Sequence, residues 1–278
     1  MEIINNQVDL SGHIGIYVLH YSPLESRRKY IENVGGIMAR SNWITESDIE
    51  LDQWNLLSHK TVVFGLSETE IGSFFRTNTF HLRFPRYIAR VMGRSMLISS
   101  RFVPRIRAAL IGSKPSFKRL NPNLLEFALM HIRALEKFIE SEKNWFLVFE
   151  DDAIFDLDFE SNLKKLIRGF NPISERVFIS LGSGSGLKRR NLDFGGRSDG
   201  LFRVKPASAR GLAASIFSRA AAVTIYSLIR KDNGIPDWLP IDLSMSLLLK
   251  VSSTKTYWAD PEIILQGSQT GAYKSNFR

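Results

Sequence analysis

Three adjacent carboxylates, Glu150, Asp151 and Asp152, directly follow the apolar run WFLVF at residues 145–149. Such a run predicts a strand covered on both faces, and ligands in an open α/β sheet bind outside the carboxyl ends of its strands. Adjacent carboxylates repel one another and burial adds to that cost, so a divalent cation would stabilise them. Oxygen ligands suit Mg²⁺ or Mn²⁺, which can bridge two phosphates and stabilise a leaving diphosphate. The alternative is a solvated acidic turn or a helix N-cap.

Other polar residues could contribute to the same chemistry. Asp242 precedes an apolar helical segment, where it would either cap the helix or act as a general base toward an acceptor hydroxyl. Arg27 and Arg28 follow the first predicted strand. They would either be solvated helix residues or contact a diphosphate through charge-assisted hydrogen bonds. The glycine-rich loop at 182–186 could approach a phosphate closely, and the basic residues 188–190 could bind one, although a flexible turn and a solvated loop are the simpler interpretations.

Strand and helix patterns alternate along the chain, which predicts an α/β fold with a mostly parallel sheet flanked by helices. Asn121-Pro122 and the apolar spacing behind it predict the helix that precedes the acidic triplet. Residues 211–229 approach the length of a membrane span, but Arg219 interrupts them, so we predict a core helix at 211–230. The other predicted strands lie at 14–19, 176–181, 201–205 and 255–259, and the other predicted helices at 25–33, 159–170 and 242–249.

The composition predicts one globular domain covering residues 1–278. Hydrophobic residues make up 44% of the 278 residues, which is too apolar for a disordered chain. The chain has no cysteine, which excludes a disulfide framework, a thiolate metal site and a cysteine nucleophile. The first residues lack the pattern of a signal peptide. These features predict a cytoplasmic location.

The net charge of +9 comes from one segment of the chain. Residues 71–125 contain eleven Lys and Arg and no Asp or Glu, which leaves 26 basic and 28 acidic residues elsewhere. A localised basic segment indicates a polyanionic partner, such as anionic lipid, nucleic acid or a charged glycan. We interpret residues 71–119 as a basic helical insertion that docks on the inner face of a membrane.

Residues 124–155, LLEFALMHIRALEKFIESEKNWFLVFEDDAIF, resemble the signature region of glycosyltransferase family 25. That family includes lipopolysaccharide sugar transferases and collagen galactosyltransferases. Glu126 and His131 keep the spacing of the family's Glu and His, and residues 150–153 match its Glu-Asp-Asp-Ala. Looser similarity extends to Arg27-Arg28, Pro240-Ile241-Asp242 and Gln266-Gly267-Ser268. The chain departs from the family at residues 127–130, which replace Gly-Cys-x-x-Ser, and no histidine follows His131.

The resemblance implies a GT-A type fold, a nucleotide-sugar donor with UDP-galactose favoured, and Mn²⁺ or Mg²⁺. Glu150 and Asp152 would orient the ribose and the metal, with Asp152 favoured as the metal ligand and Asp151 supporting them in catalysis. Glu126, His131, Arg27 and Arg28 would lie at the donor, although His131 could equally be a core or cap histidine. The resemblance also implies a C-terminal histidine as a metal ligand, which is common in GT-A enzymes, but no histidine follows His131. Asp237, Asp242 or Gln266 would therefore complete the metal site, or water would.

The sequence therefore predicts transfer of a hexose, galactose favoured, from a nucleotide sugar to a glycan or lipid-linked acceptor, as in lipopolysaccharide biosynthesis. Asp242 would be the base if the reaction inverts, and no nucleic-acid partner is expected. The alternatives are a catalytically inactive transferase-like module and a polyanion- or nucleic-acid-binding protein that uses the basic segment. A metal-dependent phosphotransferase could use the same carboxylates, but the sequence offers no clear nucleophile for it.

Overall fold

The structure is a computed structural model that describes residues 12–58, 64–67, 70–71, 119–182, 196–197, 200–204, 209, 212–232 and 234–273. Most of the predicted basic insertion at 71–119 lies outside the described residues. The same holds for residues 183–186 of the glycine-rich loop and for the basic residues 188–190.

The described strands and helices alternate along most of the chain. The strands are β1 (Ile14–Leu19), β2 (Asn42–Ile44), β3 (Leu57–Ser58), β4 (Trp145–Glu150), β5 (Ala153–Phe155), β6 (Val177–Gly182), β7 (Gly196–Arg197), β8 (Leu201–Arg203), β9 (Ala214–Ser218), β10 (Ile235–Pro236), β11 (Lys255–Ala259) and β12 (Ile264–Gln266). The helices are α1 (Glu25–Val34), α2 (Leu51–Trp54), α3 (Pro122–Glu140), α4 (Phe159–Ile167), α5 (Arg219–Lys231), α6 (Ile241–Val251) and α7 (Gly267–Thr270). Short 3₁₀ helices occupy Gly36–Arg40 and Glu46–Asp48.

The central sheet has the strand order β2-β1-β4-β9-β6-β11-β8-β7. Strand β1 is parallel to β2 and β4, and β6 is parallel to β11. Strand β9 is antiparallel to both of its neighbours, β4 and β6, and β8 is antiparallel to β11 and β7. The α/β class is therefore confirmed, and the sheet is mixed: six of its eight described strands run in one direction, whereas β9 and β8 run against them. Apolar runs indicate strands but carry no information about strand direction.

The predicted helix at 211–230 is wrong in its first part. Residues 214–218 form β9, which is buried along its whole length and hydrogen-bonded on both sides. The helix begins only at Arg219, because Ser218 has extended backbone and its Oγ accepts a hydrogen bond from the N–H of Ala221, 3.2 Å away. Among the described residues, no helix has the length and hydrophobicity needed to cross a membrane.

Two apolar clusters cover the two faces of the sheet. In β4, Phe146 and Val148 face α3, α5 and α6, whereas Leu147 and Phe149 face α1 and α4. This alternation follows the two-residue period of a strand. Residues that follow the last position of β4 consequently emerge at the edge of the sheet between two layers of helices.

The strand order creates a crevice beside β1. Strand β2, which follows β1 in the chain, lies on one side of β1, and β4 lies on its other side. The strand order therefore reverses at β1. Such a reversal is a topological switch point, and ligands bind at switch points in open α/β sheets. A separate antiparallel pair, β5 and β12, lies next to it and sets Gln266 opposite Ala153. The C-terminal part of the chain therefore reaches the acidic triplet.

Candidate active site

A cavity of about 160 Å³ opens at the carboxyl ends of β1 and β4. Its walls come from four parts of the chain: the end of β1 with α1, the start of α3, the acidic triplet, and the segment after β12. The lining residues are Leu19, Tyr21, Arg27, Glu46, Asn123, Glu126, Phe127, Met130, Glu150, Asp151, Asp152, Gln266 and Ser268. The structure thus brings the triplet together with the predicted residues Arg27 and Glu126.

The middle carboxylate, Asp151, is bound by protein groups on both oxygens. Its Oδ1 accepts a hydrogen bond from Arg27 Nη1 at 2.7 Å, and its Oδ2 lies 3.0 Å from His20 Nδ1. The backbone N–H of Tyr21 also donates to Oδ2, at 3.2 Å. The side chains of Arg27 and Asp151 are more than nine-tenths buried. Asp151 therefore joins the ends of β1 and β4 to α1, a structural contribution to the site.

The third carboxylate, Asp152, has one oxygen that no group in the described part of the chain contacts by a hydrogen bond. Its Oδ2 accepts a hydrogen bond from the backbone N–H of Ser268 at 3.1 Å. Within the described part of the chain, its buried Oδ1 has no hydrogen-bond partner, although the side chain lies on the cavity wall. An unsatisfied buried acceptor is costly, and a charged one more so. A cation at this oxygen would remove that cost.

The first carboxylate, Glu150, is held in an electrostatically unfavourable environment. Burial raises its pKa to about 8, and the neighbouring carboxylates of Asp152, Asp151 and Asp242 add to this effect. A hydrogen bond from Gln266 Nε2 to Glu150 Oε2, at 3.2 Å, opposes the increase in pKa. A cation between Glu150 and Asp152 would favour the ionised form of Glu150.

Asp242 lies in the first turn of α6, and the N-cap position of that helix is held by Pro240. Asp242 is therefore not the N-cap residue, but its Oδ1 accepts a hydrogen bond from the first-turn N–H of Leu243, at 3.0 Å. Burial raises its pKa above the ordinary aspartate value, and its charge contributes to the raised pKa of Glu150. Asp237, another predicted ligand, is buried and pairs with Arg119 at 3.4 Å. Neither aspartate is among the residues that line the cavity.

Two other predicted donor residues also lie off the cavity wall. Arg28 is half exposed, pairs with Glu32 at 2.9 Å and lies over the Trp43 ring, 5.0 Å from its centroid. His131 is buried and packs edge-on against Phe127, with the two rings 4.9 Å apart. Glu126 does line the cavity, and burial, together with the Glu46 carboxylate, raises the pKa of Glu126 above its ordinary value.

His131 should make the stability of the protein depend on pH. Burial lowers its pKa from 6.5 to about 3, so the unfolded chain binds one more proton than the folded chain between these values. The free energy of unfolding should then fall by up to about 1.4 kcal/mol for each pH unit below 6.5 from this residue. We expect the His131→Leu variant to lose less stability than the native chain between pH 7 and pH 5, measured by urea unfolding.

Glu150 acts in the opposite direction in the same experiment. Its folded pKa of about 8 exceeds the ordinary value of 4.5, so its contribution to stability is present at low pH and is lost as the pH rises toward 8. Both chains contain Glu150, and the difference between them therefore reports His131. An identical loss of stability in the two chains would contradict the prediction.

The structure also places at the candidate site residues that were not predicted from the sequence. His20 and Tyr21 bind Asp151, and they follow β1 directly, so the strand-end rule applied to β1 would have found them. Tyr273 places its ring over Arg27, 5.2 Å from the guanidinium carbon. No motif marks Tyr273, which reaches Arg27 only through the fold of the C-terminal segment.

No protein-family model matches the chain, and no curated protein matches it. The similarity of residues 124–155 to glycosyltransferase family 25 therefore remains a hypothesis based on those residues.

Proposed function

We propose that this protein is a metal-assisted glycosyltransferase that transfers a hexose, galactose favoured, from a nucleotide sugar to a glycan or lipid-linked acceptor. The observation that carries the proposal is Asp152 Oδ1, which is buried, has no hydrogen-bond partner among the described residues, and belongs to a side chain on the wall of a cavity at the sheet's switch point. We also propose that the α/β fold is of the GT-A type, which the position of the triplet at the end of β4 supports.

The donor set around Asp152 suits Mg²⁺ or Mn²⁺. The described residues contain no group of three or more His, Cys, Asp or Glu arranged to hold a metal ion. A hard cation of the Mg²⁺ kind, however, usually keeps several waters and binds through one or two carboxylates and the phosphates of the substrate. Asp152 and Glu150 would hold it in this way, and when bound it would stabilise charge on a leaving diphosphate.

The charge of the cavity supports a requirement for a cation. Five carboxylates line the described wall, and the basic residue among the lining side chains, Arg27, is bound to one of them. A diphosphate entering this cavity would be repelled by the remaining carboxylates, since like charges interact strongly where water is excluded. A divalent cation would reverse the sign of that interaction.

Asp242 is the proposed general base: it does not line the described cavity, but its charge acts on Glu150, which does. A general base works best when its pKa lies near the working pH, and burial shifts the pKa of Asp242 upward. In an inverting reaction Asp242 would take the proton from the acceptor hydroxyl.

The basic segment at 71–119 would hold the protein on an anionic membrane beside a lipid-linked acceptor. Retention of the protein on anionic liposomes at low salt tests this part of the proposal.

A donor screen tests the proposal. Thermal unfolding would be followed with a panel of nucleotide sugars, with and without Mn²⁺, and turnover would be followed by release of the nucleoside diphosphate. We expect one donor to raise the melting temperature and to be turned over only when Mn²⁺ is present. No shift and no turnover with any donor would overturn the enzyme proposal. A shift without turnover would indicate the inactive transferase-like module.

A further inference from the structure

The segment after β12 holds the third residue of the triplet through its backbone. Strand β12 pairs with β5 so that Gln266 lies opposite Ala153, the residue that follows Asp152. The N–H of Gly267 donates to the main-chain oxygen of Asp152 at 2.7 Å, and the N–H of Ser268 donates to its Oδ2 at 3.1 Å. Residues 266–268 therefore fix both the backbone and the side chain of Asp152.

The same segment contacts the other two carboxylates of the triplet. Gln266 Nε2 donates to Glu150 Oε2 at 3.2 Å. Tyr273 lies over Arg27, the guanidinium that binds Asp151. There is no space for a larger residue at Gly267, because a Cβ there would lie 2.8 Å from the main-chain oxygen of Asp152 and would overlap the Tyr273 ring. This close packing at Gly267 restricts where the neighbouring Gln266 can lie.

Gln266 thus lies beside one carboxylate and is adjacent in sequence to the residues that bind the other. Its side chain lines the cavity, as do Glu150 and Asp152. The glutamine amide carries an oxygen acceptor and an NH₂ donor on one terminal torsion that rotates easily. The NH₂ group faces Glu150 in the structure, and a half-turn of the amide would present the oxygen to the same place.

We infer that Gln266 supplies a third oxygen ligand to the divalent cation, together with Asp152 and Glu150. The inference rests on the proposed function, since it concerns the cation invoked there. Amide and carboxylate oxygens are the ligands that hard divalent cations prefer, and the unpartnered Oδ1 of Asp152 gives this group of side chains an acceptor in need of a cation. The C-terminal segment is then part of the metal site, and Gln266 replaces the missing histidine.

Binding of Mn²⁺ alone tests the inference without any nucleotide sugar. Free and bound Mn²⁺ would be measured by electron paramagnetic resonance for the native chain and for Gln266→Ala, Gln266→Glu and Gln266→Lys. We expect Gln266→Ala to raise the Kd for Mn²⁺ at least about tenfold. Gln266→Glu keeps an oxygen at this position and should retain binding, whereas Gln266→Lys keeps a donor toward Glu150 without the oxygen and should not.

Leu265→Ala is the matched control, because Leu265 precedes Gln266 in β12 but is exposed and does not line the cavity. It should bind Mn²⁺ like the native chain. Melting temperatures without Mn²⁺ would show that each variant is folded. If Gln266→Ala binds Mn²⁺ as tightly as the native chain, or if Lys restores binding and Glu does not, the inference is wrong while the proposed function stands. If the native chain binds no Mn²⁺ either alone or together with a nucleoside diphosphate, the metal-assisted function fails as well.

Discussion

Replacing Asp152 with asparagine should lower kcat/KM for the nucleotide-sugar donor in the presence of Mn²⁺ by about a thousandfold, the effect of removing one strong electrostatic contact to a transition state. Asparagine has nearly the same shape and can still accept the hydrogen bond from Ser268 N–H with its amide oxygen. What it loses is the negative charge that would face the cation. The measurement is steady-state release of the nucleoside diphosphate over a range of donor and Mn²⁺ concentrations.

Asp156→Asn provides the control for this experiment. Asp156 lies four positions further along the chain, is exposed, and accepts a hydrogen bond from Asn162 at 3.0 Å. Its replacement changes the net charge by the same amount outside the cavity, so kcat/KM should stay within about twofold of the native value, as expected for a surface change. A similar loss of activity in both variants would show that Asp152 has no special place in the reaction.

The second large effect is on stability, at the buried pair of Arg27 and Asp151. Arg27→Met should lower the free energy of unfolding by about 3–5 kcal/mol, because it leaves the Asp151 carboxylate buried without its cation. The two side chains are more than nine-tenths buried, so solvent screens the pair little. Urea unfolding followed by circular dichroism measures the change.

A double-mutant cycle separates the pair from its surroundings. Arg27→Met combined with Asp151→Leu should cost clearly less than the sum of the two single changes, because neither charge is then left alone. The combination still removes the acceptor of His20 and Tyr21 N–H, so native stability should not be fully restored. Strictly additive costs would contradict the idea that Arg27 and Asp151 stabilise one another.

Much of the fold could be predicted because local patterns decide it. The Asn121 N-cap with Pro122 in the first turn gave the start of α3, and the apolar runs gave β1, β4 and β11. Strand direction, and the short strands β5 and β12, depend on contacts between distant segments. The break between β9 and α5 was missed because alanines occur both in β9 and in the first turn of α5, and Ile216 and Phe217 suit a buried helix as well as a buried strand.

The site was predictable to the extent that it follows a strand end. The triplet was found from the apolar run before it, and its place on the cavity wall agrees with that rule. The separate roles of the three carboxylates could not be predicted from the sequence, because they depend on which carboxylate oxygens Arg27, His20 and Ser268 contact. For the same reason the sequence placed Arg28 and His131 at the donor, whereas neither lines the cavity.

Strand β9 has a consequence for how the protein folds. It is the strand that hydrogen-bonds the group β2-β1-β4 to the group β6-β11-β8-β7, and it comes from residues far beyond β4 in the chain. Until it inserts, β4 and β6 each expose an edge of unpaired backbone N–H and C=O groups, the kind of edge on which chains aggregate. Pairings between distant segments are also slow to form. The two groups of strands therefore form one sheet only when β9 lies between them, and any folding intermediate without β9 would expose both of these edges.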